Sequence, residues 1–186
     1  MAKLIFVSNV SLDGFIEDAD GSFEWAVPSD EFFAFITELV RPVETYLFGR
    51  RLYETMAVWE SDPDLAAGSE LMADFANVWK AANKIVYSTT LDAVSTARTR
   101  LERHFEPVSI RAMKKGAPRD LMVGGSSLAA HAFRAGLVDE CHLFIHPVMV
   151  GRGKPALPSG GRARLELLEE RRFNSGVVYV RYSLAH

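Results

Sequence analysis

The sequence predicts an α/β fold with a mixed, mostly parallel sheet flanked by helices and an antiparallel hairpin at the C-terminal end. Up to residue 136, short apolar runs that end at turn residues alternate with segments of helical periodicity, which is typical of parallel strands joined by helices. After residue 140, three strand-like runs follow one another, which favours antiparallel pairing. With 48% hydrophobic residues, the 186-residue chain can bury the core of one domain, predicted to span 1–186.

Four short apolar runs are predicted to form the parallel strands. Each is rich in β-branched or aromatic residues and is followed by turn residues. The predicted strands are residues 3–10, 44–48, 83–88 and 120–123. A long loop rich in Asp and Gly is expected after the first strand, and the segment after residue 88 is the least readable part of the chain.

The segments between these strands are predicted to be helices. In residues 30–40 (DEFFAFITELV) the apolar side chains recur at helical spacing. Another helix starts in RRLYETM after Gly49, and a serine opens the next one. The remaining predicted helices are residues 69–80, 107–115 and 126–135, the last closed by Gly136.

The C-terminal third is predicted to be three strands, residues 140–150, 163–172 and 177–184, with a hairpin turn at 174–176. Their apolar side chains predict an exposed edge that needs covering, so we expect the chain to associate.

The composition excludes several classes of function. The net charge is −3 and the basic residues are scattered, which argues against binding of nucleic acid or an anionic membrane surface. The single Cys141 lies in an apolar run and is expected to be buried, in a reducing compartment. The sequence contains neither a signal-peptide core nor a membrane-spanning run, so we expect a soluble, cytoplasmic protein.

Polar residues that suit anions follow the predicted parallel strands. Gly49 precedes Arg50 and Arg51, whose planar guanidinium groups match phosphate oxygens. Taken alone, a solvated arginine pair is the simpler interpretation. Ser88 and Thr89 could donate to a phosphate or cap the following segment.

The segment VGGSS offers a second set of donors. Gly124 and Gly125, with Ser126 and Ser127, either make a tight turn with a serine N-cap or bring bare backbone N–H groups to a phosphate. The third glycine of the dinucleotide motif is absent, so the segment alone decides nothing. The presence of such groups after three strands favours a phosphate-rich ligand.

Two carboxylates are candidates for catalysis. Asp13 in SLDGF is either a turn residue or a carboxylate at the mouth of the central strands. Asp30 starts a helix, where a capping role is the default. Beside Trp25, Asp30 is expected to be partly desolvated and to exchange a proton near neutral pH.

Other chemistries have little support in the sequence. His142 and His146 share a strand face but have no acidic or thiol partner at ligand spacing, so no metal site is predicted. No G-x-S-x-G nucleophile motif occurs. These observations favour redox chemistry carried by a cofactor.

The segments SLDGFIED, FGRRLYETM, VYSTTL, LMVGGSSLAAHAFRAGLVDE and HPVMVGRGKPAL together resemble the dihydrofolate reductase-like superfamily. Within it, the chain is most similar to the reductase domain of the bifunctional riboflavin-biosynthesis deaminase-reductase. The resemblance implies NADPH lying across the strand ends, a homodimer, and no deaminase domain in this chain. The segment WAVPSD is also similar to the substrate-binding segment of dihydrofolate reductases, which aligns Asp30 with their carboxylate.

The resemblance implies specific roles for the residues named above. Gly49, Arg50 and Arg51 match a phosphate-contacting segment, and Ser88 and Thr89 match the strand end near the adenosine 2′-phosphate. The Gly124–Ser127 segment matches the turn at the pyrophosphate and nicotinamide, and Asp13 matches the loop bordering nicotinamide and substrate. In the riboflavin pathway the substrate carries a ribose phosphate, for which Arg152 and Lys154 are candidate partners, although a solvated loop is the simpler account of them.

We therefore expect an NADPH-dependent reductase acting on a small, heterocyclic, pyrimidine- or pterin-like substrate, similar to 5-amino-6-(5-phosphoribosylamino)uracil reductase. Two alternatives stay open: a dihydrofolate reductase, and a non-catalytic nucleotide-binding or regulatory module that kept the fold.

Overall fold

The computed structural model describes residues 1–159 and 162–185, which contain ten β-strands and seven α-helices. The strands are β1 (Leu4–Ser11), β2 (Phe15–Asp18), β3 (Thr45–Gly49), β4 (Asn83–Tyr87), β5 (Thr99–Glu102), β6 (Leu121–Gly124), β7 (Glu140–His146), β8 (Gly153–Pro155), β9 (Leu165–Arg172) and β10 (Val178–Leu184). The helices are α1 (Asp30–Val40), α2 (Arg50–Met56), α3 (Val58–Ser61), α4 (Pro63–Ala67), α5 (Glu70–Ala81), α6 (Pro107–Gly116) and α7 (Ser126–Arg134).

Eight of the strands form one sheet in the order β5-β4-β3-β6-β1-β7-β10-β9. The strands from β5 to β7 are parallel, whereas β10 runs antiparallel to both β7 and β9. The hairpin between β9 and β10 turns at Gly176, whose φ of +87° suits glycine. This architecture confirms the predicted fold class, including the C-terminal hairpin.

Alternate residues of the central strands point to opposite faces of the sheet, and each face has its own core. Leu4 and Phe6 of β1 pack with α6 and α7 on one side, which we call the α6/α7 face. Ile5 belongs to the core formed with α1, α2 and α5 on the other side, the α1/α5 face. The N-termini of α1 and α5 are capped by Ser29 and Ser69, the latter as the sequence predicts.

Several short elements differ from the sequence prediction. The predicted long loop after β1 contains β2, a 3₁₀ turn at Glu24–Ala26 and no further regular structure before α1. Strand β2 pairs with β8 in a second, two-stranded sheet. The strand predicted at 140–150 ends at His146, because Pro147 has no N–H with which to continue the ladder.

A buried polar network joins the start of the chain to β7 and β10. The Glu140 carboxylate accepts hydrogen bonds from Lys3 at 2.5 Å and from Arg181 at 2.8 Å. Burial would raise the pKa of Glu140, but these bonds outweigh it and lower the pKa to about 2. His142 lies 2.8 Å from the Tyr179 hydroxyl and 3.2 Å from Glu140, and burial lowers its pKa to about 4.

Cys141 is buried among the residues of the α6/α7 face, as expected, and burial raises the pKa of its thiol to about 12. Among the residues that the structure describes, no helix is both long and apolar enough to cross a bilayer.

Candidate functional site

The candidate site lies at the carboxyl end of β6, where neighbouring strands send their helices to opposite sides of the sheet. Strand β6 lies between β3 and β1. The helices that follow β3 and β1 pack on the α1/α5 face, whereas α7, which follows β6, packs on the α6/α7 face. In open α/β sheets such a reversal opens a crevice beyond the strand ends where ligands bind.

Three of the polar segments singled out in the sequence meet at this crevice. They follow β4, β3 and β6, which are adjacent: Tyr87 pairs with Gly49, and Phe48 pairs with Gly124. Because neighbouring strands lie about 4.8 Å apart, the three ends span about 10 Å. The tertiary structure thus aligns these segments along one edge.

The two glycines at the end of β6 are favoured at their positions for different physical reasons. A Cβ atom on Gly124 would lie 2.6 Å from Leu52 Cδ2 and 2.8 Å from Phe48 Cε1, so a side chain here would force Leu52 and Phe48 to shift. Gly125 adopts a φ of +83° at the N-terminus of α7, and no side chain caps that helix. The close packing of Gly124 and the turn at Gly125 account for both glycines without a ligand.

The two arginines after β3 are both exposed but differ in their contacts. Arg50 donates to Glu54 at 2.7 Å and to the Thr90 hydroxyl at 3.2 Å, so it bridges the ends of β3 and β4. The Arg51 side chain is 83% exposed, and its guanidinium lies 3.7 Å from the Glu17 carboxylate. Both guanidinium groups are accessible to an anion at the edge of the sheet.

The hydroxyl groups near the crevice fall into two classes. Ser88 is buried and its hydroxyl accepts hydrogen bonds from the N–H groups of Thr90 and Leu91, at 3.2 and 3.0 Å. Ser88 therefore caps the following segment, which is one of the two roles that the sequence left open. Ser126 is buried too, whereas Thr89 and Ser127 are exposed and accessible to a ligand.

Asp13 ties the loop after β1 to the loop after β7. Its carboxylate accepts hydrogen bonds from the Ser11 hydroxyl at 2.6 Å, from Val150 N–H at 3.2 Å and from Gly151 N–H at 2.7 Å. The Ser11 hydroxyl, followed by these backbone donors, lowers the pKa of Asp13. These contacts favour a structural, ionised carboxylate, while its catalytic role stays a prediction.

Asp30 differs from the expectation drawn from the sequence. It is exposed at the first position of α1, because Ser29 takes the N-cap position and accepts the N–H of Phe32 at 3.4 Å. The expected partial desolvation of Asp30 is therefore wrong. Trp25 lies in the 3₁₀ turn before α1, and its indole Nε1 is buried without a hydrogen-bond partner.

Arg152 and Lys154 line an open cavity of about 830 Å³ beside β2 and β8. Arg51 lines the same cavity, so a predicted cofactor residue and two predicted substrate residues face one space. Acidic side chains, Glu17, Asp18 and Asp20, also line it. The cavity is thus of mixed charge rather than purely cationic.

A partly buried polar pair near the site escaped the sequence reasoning. Asn9 Oδ1 lies 3.0 Å from His146 Nε2, and the His146 ring packs edge-on against Trp25 with centroids 5.6 Å apart. Burial lowers the pKa of His146, which favours the neutral ring. The sequence reasoning did not identify this pair, because Asn9 and His146 are 137 positions apart.

The chain resembles known proteins over nearly its whole length. Residues 2–179 match the family described as the RibD C-terminal domain. The uncharacterized protein YyaP of Bacillus subtilis is 30% identical over 188 residues, which cover 97% of this chain and 94% of that protein.

Three solved structures share the fold. A candidate riboflavin biosynthesis protein from Shewanella sp. PV-4 has a TM-score of 0.76 at 19% identity, with both chains fully covered. A pyrimidine reductase-like protein from Corynebacterium diphtheriae has a TM-score of 0.66 at 14% identity, covering 100% of this chain and 92% of that one. A diaminohydroxyphosphoribosylaminopyrimidine deaminase/5-amino-6-(5-phosphoribosylamino)uracil reductase from Thermotoga maritima has a TM-score of 0.65 at 15% identity, covering 99% and 57%.

These structural likenesses establish the dihydrofolate reductase-like fold seen in riboflavin-biosynthesis reductase-like proteins. The sequence match includes every strand end of the crevice, from β1 to β7, and extends into β10. The chain therefore belongs to the RibD C-terminal domain family.

Proposed function

We propose that the protein is an NADPH-dependent reductase that transfers a hydride to a small heterocyclic substrate of the pyrimidine or pterin type. The observation that carries the proposal is the crevice at the end of β6, where the helices diverge and three polar strand ends meet. Two relatives of the same fold are described as pyrimidine reductase-like and as a uracil reductase, which supports a pyrimidine-like substrate.

The residues at the crevice fit a nucleotide with several phosphates. Arg50 and Arg51 would hold phosphate oxygens, and the exposed hydroxyl groups of Thr89 and Ser127 would donate to them. The uncapped first turn of α7 adds backbone N–H donors to these side-chain contacts. NADPH, when bound, supplies the hydride.

The substrate is proposed to lie on the side of the crevice formed by the loops after β1 and β7. Trp25 would provide an aromatic wall, while Arg152 and Lys154 would contact an anionic group of the substrate across the 830 Å³ cavity. Leu52 and Phe48 pack against Gly124, and their apolar side chains would keep water from the floor of the crevice.

For the proton, we propose Asp30 rather than Asp13. The Asp13 carboxylate already accepts three hydrogen bonds and has a lowered pKa, so it is a poor proton donor near neutral pH. Asp30 is exposed at the start of α1 and can approach a substrate. Its role is to orient the substrate or relay the proton.

Calorimetric titration with NADPH and NADH tests cofactor binding, and absorbance at the nicotinamide band tests turnover with pyrimidine and dihydropterin substrates. We expect NADPH to bind more tightly than NADH and to be oxidised with one of these substrates. Asp30→Asn should lower kcat with little change in NADPH affinity, whereas Asp13→Asn should chiefly lower the melting temperature. Failure of both cofactors to bind would rule out the proposal.

One observation favours a second candidate, a nucleotide-binding module without catalysis. Neither Asp13 nor Asp30 is placed as a desolvated acid, since the first is bound to backbone N–H groups and the second is exposed. Tight NADPH binding without oxidation by any substrate of the pyrimidine, pterin or simple imine classes would support this module over the reductase.

A further inference from the structure

Arg103, which follows β5, binds the segment that follows β4. Its Nη1 donates to the backbone carbonyl of Ser88 at 3.1 Å and to that of Leu91 at 2.6 Å. These two carbonyls lie at the ends of segment 88–91, so one guanidinium group spans the whole segment. In the part of the chain that the structure describes, no carboxylate pairs with Arg103. Its donors are therefore directed to the two carbonyls rather than to a salt bridge.

The N–H groups of the same segment are bound as well. The Ser88 hydroxyl accepts the N–H groups of Thr90 and Leu91 at 3.2 and 3.0 Å, and the Ser88 N–H donates to the Glu102 carbonyl at 3.0 Å. Ser88 thus satisfies N–H groups of this short loop, while Arg103 satisfies two of its carbonyls. An irregular loop whose donors and acceptors are both bound retains little conformational freedom.

Thr90 links this segment to Arg50 of the crevice. Thr90 is exposed, and its hydroxyl accepts a hydrogen bond from Arg50 Nη1 at 3.2 Å. Arg50 Nε donates to Glu54 at 2.7 Å. The Glu54 contact comes from the same helix as the arginine, whereas the Thr90 contact comes from the neighbouring strand end. The position of Thr90 therefore helps to decide where the Nη1 end of the Arg50 guanidinium lies.

We infer that Arg103 is a positioning residue of the proposed cofactor site: it holds segment 88–91, so that Thr90 can hold Arg50 in the orientation that receives a phosphate. The inference rests on the proposed function, in which Arg50 binds a phosphate of the cofactor. Without the contacts of Arg103, the segment has more conformations to lose when the cofactor binds, and this entropic cost weakens binding. Arg103 acts in this way without touching the cofactor.

A different role for Arg103 would be a general one, in which its positive charge attracts an anionic cofactor from a distance. Such an attraction is screened by salt and is shared by the other cations nearby. Arg100 of β5 offers the comparison, because its side chain is 59% exposed and its guanidinium pairs with Glu102 at 3.1 Å rather than with segment 88–91. Arg100 therefore carries the same charge in the same region without the proposed contacts.

A double-mutant cycle in NADPH affinity tests the inference. Calorimetric titration compares the natural protein with Arg103→Met, with Arg50→Ala and with the variant that has both changes. We expect Arg103→Met to weaken NADPH binding about three- to tenfold in the natural background. In the Arg50→Ala background the same change should cost less than about twofold, because Arg103 acts through Arg50. Arg100→Met, the matched control, should change the affinity less than about twofold at physiological ionic strength.

Thr90→Val tests the same link from the other side and serves as the second variant should circular dichroism show Arg103→Met to be misfolded. Valine keeps the shape of threonine but removes the hydroxyl group that Arg50 binds. We expect Thr90→Val to weaken NADPH binding about three- to tenfold in the natural background, and less than about twofold once Arg50 is replaced by Ala.

The outcomes separate this inference from the proposed function. If the natural protein binds no NADPH, both are overturned. If it binds NADPH and neither Arg103→Met nor Thr90→Val changes the affinity, the inference alone is overturned. Equal losses in Arg103→Met and Arg100→Met also overturn it, because they indicate a general effect of charge. So does a loss of the same size with and without Arg50, since Arg103 would then act independently of that residue.

Discussion

Arg50 connects the ends of two neighbouring strands through its guanidinium group. It follows β3 directly and donates to Thr90 in the segment after β4, while Glu54 holds its Nε. These contacts fix the orientation of a planar cation at the edge of the proposed cofactor crevice. A guanidinium held in this way needs little reordering to accept a phosphate.

Replacement of Arg50 by Ala is expected to weaken NADPH binding about 10- to 100-fold, which corresponds to about 1.5–3 kcal/mol for hydrogen bonds to a charged group. NADH binding should change less, because NADH lacks the 2′-phosphate. Calorimetric titration measures both affinities. Arg119→Ala, an exposed arginine before β6, serves as the matched control and should leave both unchanged. Equal losses for NADPH and NADH would contradict a role at the 2′-phosphate.

His142 shows how burial sets a pH dependence at a single residue. Burial lowers its folded-state pKa to about 4 from an ordinary value of 6.5, so the unfolded chain binds a proton more readily than the folded one. The contribution of the buried, neutral His142 to the free energy of unfolding is complete above pH 6.5 and is lost as the pH falls towards 4. By this linkage the loss amounts to about 3 kcal/mol.

The variant His142→Gln should therefore flatten the decline of unfolding free energy between pH 6.5 and pH 4.5, as measured by urea denaturation. Part of the decline should persist, since burial also lowers the pKa of His146. His131→Gln, which replaces an exposed histidine on α7, provides a control that should keep the natural profile. An unchanged profile in His142→Gln would show that this histidine does not titrate as its burial implies.

At the scale of elements, the junction of β6 with α7 depends on the neighbouring β3–α2 unit. Leu52 of α2 and Phe48 of β3 occupy the space where a Cβ atom of Gly124 would lie. The glycine thus permits two strand–helix units, which diverge to opposite faces, to approach closely. This contact shapes the floor of the crevice.

Gly124→Ala is expected to destabilise the protein by about 1–3 kcal/mol, because the added methyl group overpacks this contact. Urea unfolding measures the loss. Gly116→Ala is a matched control with open space around the position, and it should be near neutral. In a Leu52→Ala background the cost of Gly124→Ala should shrink. Strictly additive effects of the two changes would contradict direct packing between these residues.

Elements differ in how well their sequences predict them. Helix α1 occupies residues 30–40 as predicted, because its apolar side chains repeat over three turns. Strands β2 and β8, with four and three residues, escaped prediction because segments this short show no recognisable side-chain periodicity. Each of these strands forms by pairing with the other, next to the loop that Asp13 holds in place, rather than from the β-propensity of its own residues.

At the scale of the whole molecule, the two cores share the strands β1, β3 and β6. Both faces of these strands are buried, by Phe6 on one side and Ile5 on the other. Loss of either core therefore exposes the sheet that supports the other. This arrangement favours cooperative unfolding.

We predict a single unfolding transition for residues 1–186. Tryptophan fluorescence, to which the buried Trp79 of the α1/α5 face contributes together with Trp25 and Trp59, and far-UV circular dichroism, which reports on all elements, should give coincident urea curves. Two separate midpoints would show that the single domain predicted from the sequence is wrong. The homodimer that the resemblance implies likewise stays a prediction.

By itself the sequence determined the α/β class, the principal helices, the C-terminal hairpin and the polar strand ends. These features follow from side-chain periodicity and from the turn residues, which act over a few positions. The tertiary structure alone decided that β6 lies between β3 and β1 and that Asp13 binds Val150 and Gly151. The free energy of such contacts depends on partners that lie between 76 and 138 positions away along the chain, for which local periodicity contains no information.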